Sequence, residues 1–477
     1  MDFGSYELDP AVYDEMFLPD GTPREHSRAL HDALRGLSTA ELASIQSRVT
    51  HSFVSEGITF TVYGSDEAEE RIIPIDCVPR IVSADEWRLL EAGLTQRVRA
   101  VNRFLADVYG DARVLADGVL PEDLVHGCPQ YRPEMRGFSA PHGVWAAICG
   151  SDVVRTNDGF IVLEDNLRVP SGVSYMIANR KAVKSNLRRL YRRCRVREVE
   201  HYGRLLRRTL VELAPEGCHD PRIALLTPGV HNSAFYEHVF LAHEIGAELV
   251  EGRDLLTRNG LVYMRTTEGL RRVDVIYRRV DDDFLDPLVF REDSLLGVPG
   301  LLEAYRLGGV SLVNAPGTGV ADDKSVYPYV PDLIRYYLGE PPLLANVPTH
   351  ICRRPEDLEH TLDNLENLIV KQVGGSGGYG MLVGPHATPE EREAYAKELR
   401  ANPAGYISQP VLELSSAPCV IDGRAQPRRV DLRPFVLTGR ETRLVPGAFS
   451  RVALRQGSLV VNSSQGGGGK DVWVLDE

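Results

Sequence analysis

The stretch Leu368-Ile369-Val370-Lys371-Gln372-Val373-Gly374-Gly375-Ser376-Gly377-Gly378-Tyr379-Gly380-Met381-Leu382-Val383 decides the fold. A β-branched, apolar run enters a glycine-rich loop, and Met381-Leu382-Val383 leaves it as a second strand-like run. Gly375, Gly377 and Gly380 satisfy G-x-G-x-x-G, the fingerprint of dinucleotide-binding folds, but that fingerprint requires a helix directly after the glycines to receive a pyrophosphate. Strand, glycine loop and strand make a flap instead. Glycines let backbone N–H groups close over phosphates without interference from a Cβ, and Lys371 on the incoming strand brings a positive charge to the same place. The competing reading is a surface hairpin with a flexible tip.

Composition adds weight to Lys371. Only six of the 54 basic residues are lysine: Lys181, Lys184, Lys324, Lys371, Lys397 and Lys470. A compact ammonium differs from a planar guanidinium where a phosphate oxygen must be reached in a tight site. The second glycine tract, Gly466 to Gly469 before Lys470, is no Walker A loop, because Ser464 stands where its first glycine belongs and Asp471 follows the lysine. A protein-kinase loop fits poorly too, since its lysine lies on the strand after the glycines.

Upstream, Val144 to Val154, the polar turn Arg155-Thr156-Asn157-Asp158-Gly159 and Phe160 to Leu163 read as a β-hairpin running into Glu164-Asp165-Asn166. Residues i and i+2 of a strand share a face, so Glu164 and Asn166 point together while the turn folds Asp152 back towards them. Two carboxylates and an amide oxygen suit Mg²⁺, which takes one or two carboxylates together with waters and nucleotide phosphates. Read alone, Glu-Asp-Asn at a strand end is also an ordinary solvated turn.

The remaining pattern is that of a mixed α/β protein. The chain has 477 residues, 43% of them hydrophobic, and a formal net charge of −13. That length suggests two or three domains with real cores, and the charge argues against nucleic-acid or anionic-membrane partners. No signal-peptide order or apolar run of spanning length is present, which predicts a cytoplasmic protein. The seven cysteines are scattered, with no Cys-x-x-Cys pair and no zinc-like spacing. Residues 1–84 form a helical and loop region without obvious chemistry, with a helix near Ser27 to Val49 and a strand over Ile58 to Tyr63. Trp87, Leu90, Leu94, Val98, Val101, Leu105 and Val108 recur as in a long amphipathic helix. Between 201 and 320, strands at Ile223–Leu226, Glu248–Val250, Leu261–Met264 and Val273–Tyr277 around a helix from Ser233 to Ile245 predict a small parallel α/β layer. The last segment, 321–477, holds helices at Tyr327–Leu338, Glu356–Leu368 and Pro389–Leu399 besides the flap.

These stretches together resemble the ATP-grasp superfamily: Val370-Lys371 before a glycine flap, Asp323-Lys324 opening a helix, and an Asp152…Glu164-x-Asn166 hairpin. Ordinary members carry the acidic hairpin after the flap. Here it precedes the flap by about 200 residues, so the chain resembles the circularly permuted ATP-grasp proteins, related to the synthetase part of glutathionylspermidine synthase. Tyr277 to Pro287 and Asn314 to Lys324 belong to the same resemblance, which runs from about residue 85 to the C-terminus. The implied fold is α/β (α+β), with residues 85–200 as the permuted part of the core and 201–320 as an inserted Rossmann-like, pre-ATP-grasp layer.

The resemblance implies roles residue by residue. Lys324 and Lys371 contact ATP phosphates, Gln372, Ser376, Gly377 and Gly378 belong to the flap site, and Asp152, Glu164 and Asn166 bind Mg²⁺. The run Ser408-Gln409-Pro410-Val411-Leu412-Glu413 is the hinge that reads adenine. Arg433 approaches the transferred phosphate, a role weighed evenly against a surface ion pair with Asp431 or a neighbour. Arg451 and the loop around Asn462 sit where relatives bind acyl phosphate and acceptor. Arg168 is a substrate candidate, and so are Arg278, Arg279, Asp281 and Asp282, a charged cluster at a strand end that equally suits a domain interface. Asn232 and Ser233 are further candidates, or a helix N-cap.

The activity implied is an ATP- and Mg²⁺-dependent, ADP-forming carboxylate–amine ligase acting on an amino acid or peptide, with a helical partner protein. Rivals are a nucleotide-binding sensor or scaffold, and a phosphotransferase, which would need a general base that the sequence does not show.

Overall fold

The computed structural model describes residues 1, 3–4, 6–63, 68–375, 380–455, 461 and 467–477. Among these, the central sheet has seven strands in the order Ala345–Asn346, Gly159–Asn166, Ile148–Thr156, Arg433–Thr438, Thr442–Val452, Gly468–Val474 and Ile75–Val82. The two outermost pairings are parallel and the inner ones antiparallel. The expected hairpin is its middle, turning at Asn157-Asp158, and lies against strands from the far end of the chain.

Alternation across the pleat builds a core on each face. Val472 and Val474 join the core of the long helix Ala84–Val108, while Trp473 joins the core on the opposite face with helix Val173–Asn186. The long helix is as expected: Ser83 and Glu86 close a capping box at its start, and Trp87, Leu90, Leu94, Val98, Val101, Leu105 and Val108 are all buried.

The region 201–320 contains a parallel sheet in the order Ser311–Val313, Val275–Arg278, Ile223–Leu226, Glu248–Val250. The expected strand at Leu261 exists as Leu261–Thr266, but in a separate antiparallel meander with Leu255–Arg258 and Gly269–Val273. The expected strand Val273–Tyr277 is divided at Asp274, whose carboxylate accepts the Arg222 N–H at 2.9 Å. The flap belongs to a third sheet, antiparallel, in the order His350–Ile351, Tyr406–Pro410, Leu368–Gln372, Leu382–Val383.

Other expectations need correction. The N-terminal helix is two, Arg28–Arg35 and Thr39–Ser55, because Ser38 and Glu41 form a capping box that starts the second. The helix expected to reach Leu368 is Pro355–Asp363. Helices Val173–Asn186 and Tyr202–Glu212 lie where no helix was expected. In the first, every residue from Val173 to Val183 except Lys181 is buried, so no polar face marks the period. Among the described residues no helix is long and apolar enough to cross a membrane.

Candidate functional site

The hairpin, the flap sheet and the small parallel sheet surround a cavity of about 570 Å³. In the hairpin, Asp152 pairs with Glu164 and Gly150 with Asn166, so Asp152, Glu164 and Asn166 share one face, and all three line the cavity. Glu164 is part-exposed, with the Lys324 ammonium 3.8 Å away. The Asn166 amide nitrogen donates to the Gly150 carbonyl at 3.1 Å, which leaves the amide oxygen as the free end of the group. Among the described residues no three of His, Cys, Asp or Glu gather into a metal cage. The donor set, two carboxylates and an amide oxygen, still fits a hard cation that completes its shell with waters and phosphate oxygens.

Asp152 is 1% exposed and anchors a chain of alternating charges. The Arg433 guanidinium grips it through Nε and Nη2, the latter at 2.8 Å, and Arg451 Nη2 donates to the same carboxylate at 2.6 Å. Arg451 also donates through Nε to Asp431 at 2.7 Å. Burial pushes the Asp152 carboxyl up, but the two guanidiniums outweigh it and hold it well below the ordinary range. The alternative pairing of Arg433 with Asp431 is not the one formed; Asp431 belongs to Arg451.

In the same cavity, Lys371 Nζ donates to Gln409 Oε1 at 2.8 Å, and Gln409 Nε2 donates to Thr349 Oγ1 at 2.9 Å. Burial, with the Lys324 charge adding to it, pulls the Lys371 ammonium below the usual lysine value, against the pull of Glu164. Lys324 Nζ donates to the carbonyl of Gly375 at the flap's near end, at 2.5 Å. Gln372, Gln409, Val411 and Leu412 line the same cavity, next to an apolar cluster of Val154, Leu163 and Leu414. Ser376, Gly377, Gly378 and Asn462 lie outside the described residues.

The substrate candidates divide. Arg168 lines the cavity, bonded to Asp322 at 2.9 Å and Asp281 at 3.2 Å, and Asp281, Asn232 and Ser233 line it too. Neither Asn232 nor Ser233 is a side-chain N-cap of helix Phe235–Ile245; that position is Ala234, whose N–H the Asn232 amide oxygen accepts at 2.9 Å. Arg278 does not line the cavity. It is fully buried, donates to the carbonyls of Asn314, Val280 and Ala315, and lies 2.7 Å from Asp282, a network internal to residues 201–320. The candidate Arg279 lines the cavity, as does Asp431, while Asp322 and His238 line it without having been singled out in the sequence. Asp322 stood in the quoted Asn314–Lys324 stretch, beside the Asp-Lys pair.

A family model described as circularly permuted ATP-grasp type 2 matches residues 79–453. An uncharacterized protein of Synechocystis sp. is 52% identical over 465 residues, 97% of each chain. A candidate glutamate–cysteine ligase of Frankia alni is 44% identical over 469 residues, 98% of this chain but 54% of the relative, so the chain spans about half of that protein. A glutathione synthetase-like effector from Globodera pallida, in apo form, superposes with a TM-score of 0.57 over 92% of this chain and 98% of the effector, at 11% identity.

Proposed function

The chain belongs to the circularly permuted ATP-grasp proteins of type 2, and from that premise we propose that it is an ATP- and Mg²⁺-dependent, ADP-forming ligase that joins a carboxylate to an amine on an amino acid or peptide. The observation that carries the reading is convergence on one cavity: two lysines, the oxygen-donor trio of the hairpin and two arginines, drawn from residues 152 to 451. The ligase class has further support in the candidate glutamate–cysteine ligases among its relatives.

In this reading Lys371 and Lys324 hold the nucleotide's phosphates, exchanging the Gln409 and Gly375 oxygens for phosphate oxygens. The hinge at Gln409 to Leu412 receives the adenine edge against the apolar cluster. Asp152, Glu164 and Asn166 would hold Mg²⁺, which, when bound, neutralises phosphate charge. Arg433 and Arg451, kept rigid by Asp152 and Asp431, stabilise negative charge on the group in transfer without having to reorganise. The substrate carboxylate takes the γ-phosphoryl group and ADP leaves; the amine then attacks the acyl phosphate and inorganic phosphate leaves. Arg168 and Asp281 face the substrates.

The test is product analysis with Mg²⁺-ATP, a pool of amino acids and small peptides, and hydroxylamine as trap. ADP together with a hydroxamate is the expected result, and its mass identifies the carboxylate. Nucleotide bound tightly but never consumed with any carboxylate in the pool would replace this reading with that of a sensor acting with a partner protein.

A further inference from the structure

The small parallel sheet contributes a wall to the cavity that the phosphate chemistry above does not use. Its earliest strand in the chain, Ile223–Leu226, has Glu248–Val250 on one side and Val275–Arg278 on the other. The loops leaving Leu226 and Arg278 therefore run to opposite sides, and between them opens the crevice at which open parallel sheets bind ligands. The first loop and its helix bring Asn232, Ser233 and His238 to the cavity, and the second brings Arg279.

His238 is 1% exposed, yet it lines the cavity. Its Nδ1 lies 2.8 Å from the Thr227 hydroxyl, which already accepts the Gly229 N–H at 3.1 Å. Thr227 is 2% exposed, and among the described residues its hydroxyl has no acceptor but Nδ1, so the hydroxyl donates to the Nδ1 lone pair and the ring's own proton sits on Nε2. Among the described residues Nε2 has no partner. Burial, and after it the Arg279 charge, push His238 down to about 2, so the ring stays neutral and Nε2–H is a permanent donor. His238 lies in the first turns of the 11-residue helix Phe235–Ile245, whose start has no side-chain cap. Arg279 completes the wall with a buried, unpartnered Nε, while Glu237 balances its charge. Glu237 is itself saturated, accepting from the Gly172 and Ser174 backbones and the Ser174 hydroxyl.

We propose that this crevice, with the His238 Nε2–H, the uncapped start of helix Phe235–Ile245 and Ser233, binds a second carboxylate of the substrate, one that does not react. A neutral imidazole N–H and a helix N-terminus favour one negative charge on a small planar group. A phosphate would find no uncompensated cation here, because Arg279 is paired with Glu237. The substrate is thereby a dicarboxylate, such as an acidic amino acid or a peptide with a free C-terminus. The proposal rests on the ligase reading only in expecting another carboxylate to meet the phosphate.

The experiment titrates the purified chain calorimetrically with succinate, L-aspartate, L-glutamate and the monoamide of each, with and without a non-hydrolysable Mg²⁺-ATP analogue. His238→Gln and Ser233→Leu are compared with the parent. At least one dicarboxylate should bind the parent, tighter than its monoamides, and both variants should weaken it tenfold with nucleotide affinity unchanged. Should His238→Gln fail to fold, Ser233→Leu, at a half-buried position outside the helix, decides alone. Absence of binding by every dicarboxylate, or a loss below threefold in a folded variant, overturns the subsite. Failure of the nucleotide analogue to bind, with dicarboxylate binding intact, would instead sink the ligase reading and leave the subsite standing.

Discussion

Arg278 and Arg433 stand at the ends of strands, both paired with an aspartate, and their surroundings separate them. Arg278 faces protein on every side: it donates to the carbonyls of Asn314, Val280 and Ala315, and its guanidinium is ion-paired with Asp282. Its Asn314 partner is equally consumed, accepting from the Ala147 and Ile148 amides and donating to the Ile148 and Leu167 carbonyls. Together they bolt the small parallel sheet to the hairpin. Arg433 holds Asp152 on one side and lines the cavity on the other. Burial and pairing are common to both clusters, so they do not mark function. What marks it is charge density that borders open space.

The largest expected effect breaks the comparison by making the same change in each cluster. Arg278→Met takes from the buried Asp282 the nearer of its two arginines, leaving Arg132 at 3.5 Å, strands three carbonyls away from water, and should cost about 3–5 kcal/mol of unfolding free energy. Arg433→Met leaves Asp152 with Arg451 and with cavity water, and should cost about 1 kcal/mol of stability while turnover falls by about a hundredfold or more. Urea unfolding of both variants, beside ADP release, is the check. Equal stability losses would mean that Arg433 is a second bolt and that the cavity's edge has no special standing.

Next in size is Glu164→Ala, which removes one oxygen donor from a part-exposed strand position. Turnover should drop by roughly a thousandfold, about 4 kcal/mol of barrier, while thermal stability stays near that of the parent. A collapse in melting temperature with activity scaling to the folded fraction would move Glu164 to the structural side. Smaller is Lys371→Ala, with about a ten- to thirtyfold weaker nucleotide affinity from loss of one charge-assisted contact. Affinity unchanged in that variant would remove the flap lysine from the phosphate site.

How far these clusters were legible in the sequence follows from the range of the interactions. The flap and the hairpin were legible because turn chemistry and two-residue alternation are local: Asn157-Asp158 turns the chain, and Glu164 and Asn166 share a face by spacing alone. The long helix was legible from its apolar stripe. Helix Val173–Asn186 was not, because a helix buried all round has no stripe to read. For Arg433 the sequence offered an ion pair only with Asp431 or a near neighbour, whereas its partner is Asp152, 281 positions distant; only the sheet order that places Arg433–Thr438 against Ile148–Thr156 decides it. His238 had no signal, being one histidine among 13 until the Thr227 hydroxyl fixed its tautomer.

The smallest effect sharpens the sealed side of the comparison at the hairpin's other end. There Arg155 pairs with Glu15 and Glu86, and Glu15 also takes Arg80, all away from the cavity. Burial pushes the Glu86 carboxyl up, but Arg155 and hydrogen bonds overcome it and hold it down at about 2. Since the folded value lies below the unfolded one near 4.3, this contribution is complete above about pH 4.3 and is lost as pH falls towards 2. Glu86→Gln keeps the capping-box geometry at Ser83 through its amide oxygen and removes the charge and the acceptor that face Arg155. The variant should be about 1–2 kcal/mol less stable than the parent at pH 7, with the gap closing on acidification below about pH 4 and nucleotide affinity unchanged throughout. A gap that stays constant with pH would show that Arg155 holds Glu86 by shape and not by charge; a change in nucleotide affinity would tie even this sealed cluster to the cavity.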